Sequence, residues 1–376
     1  MICKRIECRN FRNIEDAVIE PAEGVTVLCG SNGEGKTNAL EAVYLFAQGR
    51  SFRTAHDREF VKFGAESAEI KLNFADKNRE HDMLIRYLPN GTRMCKRNGV
   101  LIRRMSEFIG CFRAVLFCPA HLSIIKDGPS VRRGFLDIAI SQLKPFYMLS
   151  LQRYNNILTQ RNSLIKNYYS APETFHRTVA IWSEQLAAEA EVISAERAKY
   201  VVRLDNFTER IIHDMTGGRE TVRLTYNKPR TKDEYVRLLA ENPEREIRAG
   251  STLHGTHKDD IEITINDRDA RSYASQGQQR SIALAMKLAE GEISREVSGE
   301  YPVFLLDDIF SELDAGRRAF MTNGLQGRQV IMTSCDENTE GNMIKVENGK
   351  YYAESPLSPA GDIPPLTREG KNELTI

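Results

Sequence analysis

Gly30-Ser31-Asn32-Gly33-Glu34-Gly35-Lys36-Thr37 lies between a short apolar run, Val25–Cys29, and a stretch, Gly35–Ala47, in which Leu40, Val43, Tyr44 and Ala47 recur at helical spacing. A strand, a glycine-rich turn closed by Lys-Thr, and a helix form the pattern GxxxxGK[ST]. Glycines let successive backbone N–H groups converge on one anion, and the helix N-terminus adds partial positive charge. Gly30, Ser31, Asn32, Gly33, Glu34, Gly35, Lys36, Thr37 and the adjoining Asn38 are therefore expected to hold the phosphates of ATP. Lys36 is expected to reach the β- and γ-phosphates, and Thr37 to bind Mg²⁺.

Two segments far along the chain complete such a site. Val303-Phe304-Leu305-Leu306-Asp307-Asp308 reads as a buried strand ending in two acids. Asp307 is expected to join Thr37 in the Mg²⁺ shell, and Asp308 to polarise the attacking water. Alone, an apolar strand followed by acidic turn residues is common; after a phosphate loop it gains meaning. Ser275-Gln276-Gly277-Gln278-Gln279-Arg280 precedes Asp307 and opens a helix expected over Gln278–Ala289. Singly, Ser275 is a favourable N-cap. The order of the segments is what makes it more: Ser275–Arg280 resembles the signature sequence of the ABC-type ATPases, and Ser311-Glu312-Leu313-Asp314 resembles their D-loop. That resemblance implies that Ser275, Gly277 and Gln278 meet the ATP held by a second copy of the chain, with Ser275 counted beside Lys36, Asp307 and Asp308 in catalysis.

The chain between these segments is mixed. Ile2–Cys8 alternates as a strand, and Glu69–Ile102 reads as hairpins with turns at Asn90-Gly91 and Asn98-Gly99. Phe112–Phe117 is a further strand. From His121 to Gly217 the pattern is helical, with one long amphipathic helix after Pro172 striped by Ala187, Ala190, Ile193, Ala198, Val201, Leu204 and Ile211, and ended by Gly217-Gly218. Strands return at Thr221–Thr225, Ile261–Ile265 and Gln329–Thr333. The expected architecture is an α/β ATPase head assembled from residues 1–120 and 250–355, a helical arm inserted at 121–249, and a flexible tail over 356–376.

Composition sets limits on function. Basic and acidic residues balance at 52 each, so nucleic-acid binding needs a local patch. Seven cysteines, odd in number and without CxxC spacing, argue against a disulfide framework or a zinc site and for reduced thiols. No apolar run approaches the ~20 residues of a membrane span, and no signal peptide is visible. Two stretches are basic without an acid. Arg86, Arg93, Lys96, Arg97, Arg103 and Arg104 fall between Met83 and Arg104; Arg153 and Arg161, with Lys144 and Lys166, fall between Ile138 and Pro172, interleaved with tyrosines. Either could neutralise DNA phosphates in a salt-dependent way. No base-reading motif accompanies them.

Further segments narrow the likeness. Asn10-Phe11-Arg12-Asn13 resembles a turn of the SMC-like ATPases whose arginine approaches the nucleotide, which implies ATP contacts for Arg12 and Asn13. Gly49–Thr54, Phe117–Leu122, Lys126–Pro129, Arg132–Asp137, Gln160–Asn162 and Gly255–Asp260 extend the match over nearly the whole chain. Together they resemble the RecF family of bacterial recombination mediators within the SMC/Rad50-like superfamily. The resemblance implies an ATP-dependent homodimer that binds double-stranded, single-stranded or gapped and junction DNA. It implies slow, DNA-stimulated hydrolysis, cooperation with RecR and RecO in loading RecA, and roles in replication restart and the SOS response, in the cytoplasm at the nucleoid. This chain has Thr256 and Lys258 where the family more often has Pro and Arg, and Ala120-His121 in place of acids. A chromosome-tethering SMC or Rad50 head is the alternative; those carry far longer coiled coils. A transporter subunit or a monomeric kinase fits less well, since the signature and D-loop serve a dimer.

Overall fold

The computed structural model describes residues 1–226, 229–336 and 340–353, so the tail expected over 356–376 lies outside the described residues. The chain forms two compact units, Met1–Leu122 with Glu290–Ile376, and Ser123–Ala289.

The first unit opens with β1 (Ile2–Phe11), β2 (Ile14–Ile19), β3 (Val25–Cys29) and helix α1 (Lys36–Gln48), then β4 (Ala68–Ala75), β5 (Glu80–Tyr87), β6 (Arg93–Arg97), β7 (Val100–Ile102) and β8 (Ala114–Phe117). The hairpins read from the sequence form one antiparallel sheet in the order β2-β1-β4-β5-β6-β7. The second unit carries helices α2 (Pro129–Leu143), α3 (Pro145–Lys166) and α4 (Pro172–Thr216), strand β9 (Val222–Tyr226), helices α5 (Lys232–Ala240) and α6 (Pro243–Ala249), strands β10 (Ile261–Ile265) and β11 (Arg268–Asp269), and helices α7 (Ala270–Tyr273) and α8 (Gln276–Ser298), the last leading back into the first unit. There β12 (Val303–Leu306), α9 (Ala315–Gly324), β13 (Val330–Ser334), β14 (Asn342–Glu347) and β15 (Lys350–Ala353) follow. They join β3 and β8 in a second sheet, ordered β15-β14-β3-β13-β12-β8, parallel except for the β14–β15 hairpin.

This head-like unit is a mixed α/β body. Strands β8 and β12 are buried at every residue and β13 at all but its last, as parallel strands covered on both faces must be. Helix α1 is buried along nearly its whole length. Its Leu40, Val43 and Phe46 share one core with Ile6 and Leu72 of the antiparallel sheet and Leu28 and Leu305 of the parallel one. Gln329 reinforces the join: its buried amide accepts from Cys3 N at 2.7 Å and donates to Cys3 O at 2.9 Å and Ala22 O at 2.8 Å.

The chain returns to the head at Glu290, not near residue 250 as the sequence suggested. The reason is pairing: β10 hydrogen-bonds along β9, so residues after 250 are stitched to the segment before them. Helix α4 is the expected single long helix and stops at Gly217, whose φ of 63° lies in the left-handed region that glycine enters freely. Its buried stripe keeps Ala187, Ala190, Ile193, Val201 and Leu204, but Ile212 takes the place expected for Ile211. Glu196 and Arg197 are buried on it as well, which hydrophobic periodicity does not foresee. All seven cysteines are free. No helix among the described residues is long and apolar enough to cross a membrane.

Candidate nucleotide site

The phosphate loop turns sharply out of β3. Gly35 adopts φ 116° as the N-cap of α1. At Gly30 a Cβ would lie 2.2 Å from the carbonyl oxygen of Val346, so only glycine fits there. The loop is held from outside. Gly349 N donates to Glu34 O at 2.8 Å, Tyr351 Oη donates to Gly35 O at 2.9 Å, and Asn348 N donates to the Glu34 carboxylate. Asn13 Nδ2 reaches Glu34 O at 3.2 Å, and Asn13 Oδ1 accepts from Asn38 Nδ2 at 2.7 Å. Within this scaffold the backbone N–H groups of Asn32 through Lys36 have no acceptor among the described residues. Successive unpaired donors at a helix N-terminus form an anion cradle. Lys36 Nζ folds over it, donating to Gly30 O, to Ser31 O at 2.9 Å and to Cys335 Sγ at 3.3 Å.

Strand order brings the acids to the cradle. β13 lies between β3 and β12, so the C-terminal ends of all three open on the same edge, where parallel α/β sheets place their ligands. Thr37 Oγ1 donates to Asp307 Oδ1 at 2.8 Å across 270 residues of sequence. Thr333 at the end of β13 donates to the same oxygen at 3.1 Å and accepts from Asp308 N at 2.8 Å. Burial raises the Asp307 carboxyl above its ordinary pKa; the hydroxyls of Thr37 and Thr333 oppose that shift. Asp308 is exposed and sits at φ 49°, sparsely populated for a residue with a side chain. A cavity of about 480 Å³ opens beside it, lined by Leu306, Phe310, Leu325, Met332 and Thr333.

Thr37 and Asp307 offer a hydroxyl and a carboxylate oxygen in mutual reach, hard donors of the kind Mg²⁺ takes when phosphates and water complete its shell. Among the described residues no cluster of three or more His, Cys, Asp or Glu could hold a metal.

Arg12, expected at the nucleotide, is engaged by two acids beside the loop. It is 17% exposed, and its guanidinium forms a two-pronged pair with Glu41, at 3.0 Å and 2.9 Å, while Nη1 donates to Glu59 O at 3.2 Å. Glu41 is fully buried, so Arg12 neutralises a carboxylate that has no way out of the core. Arg53 reaches the same Glu41 carboxylate from farther off, at 3.6 Å; it is 45% exposed, donates to Asn38 Oδ1 at 2.6 Å and favours the charged form of Asp307. Arg53, Thr333 and Cys335 have no spacing signal; Arg53 lies in the segment Gly49–Thr54 that carries the family likeness, and that likeness alone points to it.

The second unit presents the signature segment. Ser275 is exposed and caps α8: Gln278 N donates to Ser275 Oγ at 3.2 Å and Ser275 N to Gln278 Oε1 at 2.8 Å. Gly277 lies in that first turn. The capping reading and the signature reading of Ser275 thus describe the same hydroxyl.

The expected DNA patch changes most. Arg161 is 1% exposed and bonded to Glu246, Ser183 and Thr252, so it cannot meet a phosphate; a buried carboxylate claims it. Arg86 pairs with Glu69, Arg153 with Glu189, Arg93 with Gly49 O and Asp57, and Arg97 donates to Cys111 Sγ. Lys96, Arg103 and Arg104 take no ion pair among the described residues.

Comparison with known proteins agrees with this anatomy. The family described as RecF/RecN/SMC N terminal domain matches residues 2–353. The chain is 36% identical to the DNA replication and repair protein RecF of Clostridium novyi (strain NT), over 89% of this chain and 92% of that one. It is likewise 36% identical to the RecF protein of Ruminiclostridium cellulolyticum, over 94% and 97%. The solved structure of the recombination mediator protein RecF-ATPrS superposes with a TM-score of 0.88 at 33% identity, covering 93% of this chain and 97% of that one. An Smc head domain from Pyrococcus furiosus, 17% identical, shares the fold with a TM-score of 0.55. The nucleotide-site architecture, the full-length identity and the shared fold together place this chain in the RecF family of DNA replication and repair proteins, with the ABC-type ATPase head of the SMC-like superfamily.

Proposed function

We propose that this chain is an ATP-driven switch of DNA repair that dimerises on ATP and binds DNA as the dimer. The observation that carries the reading is the 2.8 Å contact of Thr37 with Asp307, which joins the phosphate loop to the acid of a distant strand. The cradle of Asn32–Lys36 binds the phosphates, and Lys36 leaves the loop carbonyls to meet them. Thr37 and Asp307 would hold Mg²⁺, which when bound would neutralise phosphate charge. Asp308 orients water as a base, held through its backbone by Thr333. Ser275, Gly277 and Gln278 close the site from a second copy. Asp is one methylene shorter than Glu, and the reading assigns it slow turnover, so that ATP acts as a clamp signal and hydrolysis as release.

The relatives' names supply the pathway: RecF of the RecFOR pathway is a recombination mediator. By that likeness this chain works with RecR and RecO at gapped or junction DNA, in the cytoplasm, supporting RecA loading, replication restart and SOS induction. Lys96, Arg103 and Arg104 remain as the proposed DNA contacts. The test is sizing of the protein with ATP, with ADP, and of the Lys36→Met variant with ATP. The reading expects a dimer in the first case only; a monomer in all three overturns it.

A further inference from the structure

The signature segment and the end of the longest helix meet at one carboxylate that no sequence motif includes. After Thr216 the backbone turns through Gly217 and Gly218, with φ of 63° and 76°. Gly218 N returns to His213 O at 2.9 Å. Thr216 Oγ1 donates to Ile212 O at 2.8 Å and accepts from Glu220 N at 3.3 Å, which anchors Glu220 to the end of α4. Glu220 Oε1 then accepts a hydrogen bond from Gln278 Nε2 at 2.9 Å.

A side-chain amide has an accepting end and a donating end, and its surroundings decide which way round it sits. A carboxylate only accepts, so Glu220 forces the Gln278 NH₂ toward itself. That leaves Gln278 Oε1 facing Ser275 N, where it accepts at 2.8 Å. The reversed amide would set two donors against each other and undo the cap that fixes Ser275 at the head of α8.

We propose that Glu220 is a positioning residue for the signature serine: it orients the Gln278 amide and so presents Ser275 in the geometry the second copy's nucleotide requires. It touches no nucleotide itself. Its anchor on α4 ties the signature serine to the 45-residue helix. The inference rests on the reading that Ser275 completes an ATP site in trans.

The test uses the full chain and three variants, with two readouts: titration with a fluorescent ATP analogue for the phosphate loop, and sedimentation with ATP for dimerisation. Glu220→Ala is expected to bind the analogue as the wild type does, yet to need roughly tenfold more protein to dimerise, the scale of one missing hydrogen bond to a charged group. Glu220→Gln, which can still present an oxygen, dimerises like the wild type. Glu220→Lys, a donor only, reverses the amide and is worse than Glu220→Ala. Equal dimerisation by wild type and Glu220→Ala, or equal loss in the Gln and Ala variants, overturns the role of Glu220 alone. A wild type that stays monomeric with ATP overturns the trans site and this inference with it.

Discussion

Two clusters of charged side chains are withdrawn from water, one in each unit, and they are completed to different degrees. In the second unit Arg161 uses Nε, Nη1 and Nη2 on Ser183, Thr252 and Glu246, and Arg197 does the same with Tyr147, Thr256 O and Asp137. Each cation meets a carboxylate and neutral acceptors, and both are at most 2% exposed. In the nucleotide corner the pairing among the described residues is incomplete. Lys36 has only neutral acceptors, the N–H groups of Asn32–Lys36 have none, and Asp307 receives two hydroxyls but no cation in hydrogen-bond contact. A fully matched polar network rigidifies a fold; one with unmatched capacity awaits a charged ligand. Arg12 belongs to the first kind although it lies beside the second, because the buried Glu41 requires it.

The comparison breaks most visibly if the matched cluster is opened. Arg161→Ala strands Glu246 without its cation, and unfolding by denaturant should show a loss of about 3–5 kcal/mol. A change below about 1 kcal/mol would mean that the network is ornamental. Lys36→Met is the reverse case: a fluorescent ATP analogue should bind on the order of a hundredfold more weakly, as when a charged hydrogen-bonding partner is removed, while the melting temperature barely moves. A large fall in melting temperature would make Lys36 structural and erase the distinction.

Smaller effects sharpen it. Changing Lys96, Arg103 and Arg104 together to Glu should weaken duplex DNA binding about tenfold or more and flatten its salt dependence by up to ~0.9 for each phosphate that is no longer neutralised. Arg153→Glu, whose partner is Glu189, should do much less. If the two weaken binding alike, unpaired cations are not the criterion. Last comes pH. His257 is half-buried, with Tyr154 Oη at 2.6 Å and Thr252 O at 3.1 Å, and its desolvation pushes its pKa down from 6.5 to about 4. The unfolded chain therefore takes up a proton between those values that the folded one refuses, so stability falls as pH drops below about 6.5. From pH 7 to pH 6 the loss attributable to this ring should stay under about 1 kcal/mol, and His257→Gln should remove it from the melting profile.

Much of this is legible in the sequence because it is local. Strand, turn and helix around Gly30–Thr37 follow from neighbours a few residues apart, and Leu306-Asp307 is an apolar run with an acid at its end. The hairpins of Glu69–Ile102 and the single helix after Pro172 are periodicities of the same kind. What the linear pattern could not supply is partnership. Arg161 and Lys96 look alike as basic residues in acid-free stretches; only the fold sets Glu246 against one of them. Arg12 and Arg53 look alike beside the phosphate loop; only the fold shows that both reach the buried Glu41, Arg12 at 2.9 Å and Arg53, far more exposed, at 3.6 Å.

By itself, then, the sequence determined a glycine-rich turn closed by Lys36-Thr37, an apolar strand ending in Asp307-Asp308 and a helix opened by Ser275, since each depends on residue types at short spacing. The tertiary structure alone decided that β13 stands between β3 and β12 and carries Thr333 to Asp307, that the chain returns to the head at Glu290, and which cations are claimed by buried carboxylates. The physical reason is range: backbone propensity acts over a few residues, whereas the desolvation of a charge is settled by whatever group the fold brings within about 3 Å of it.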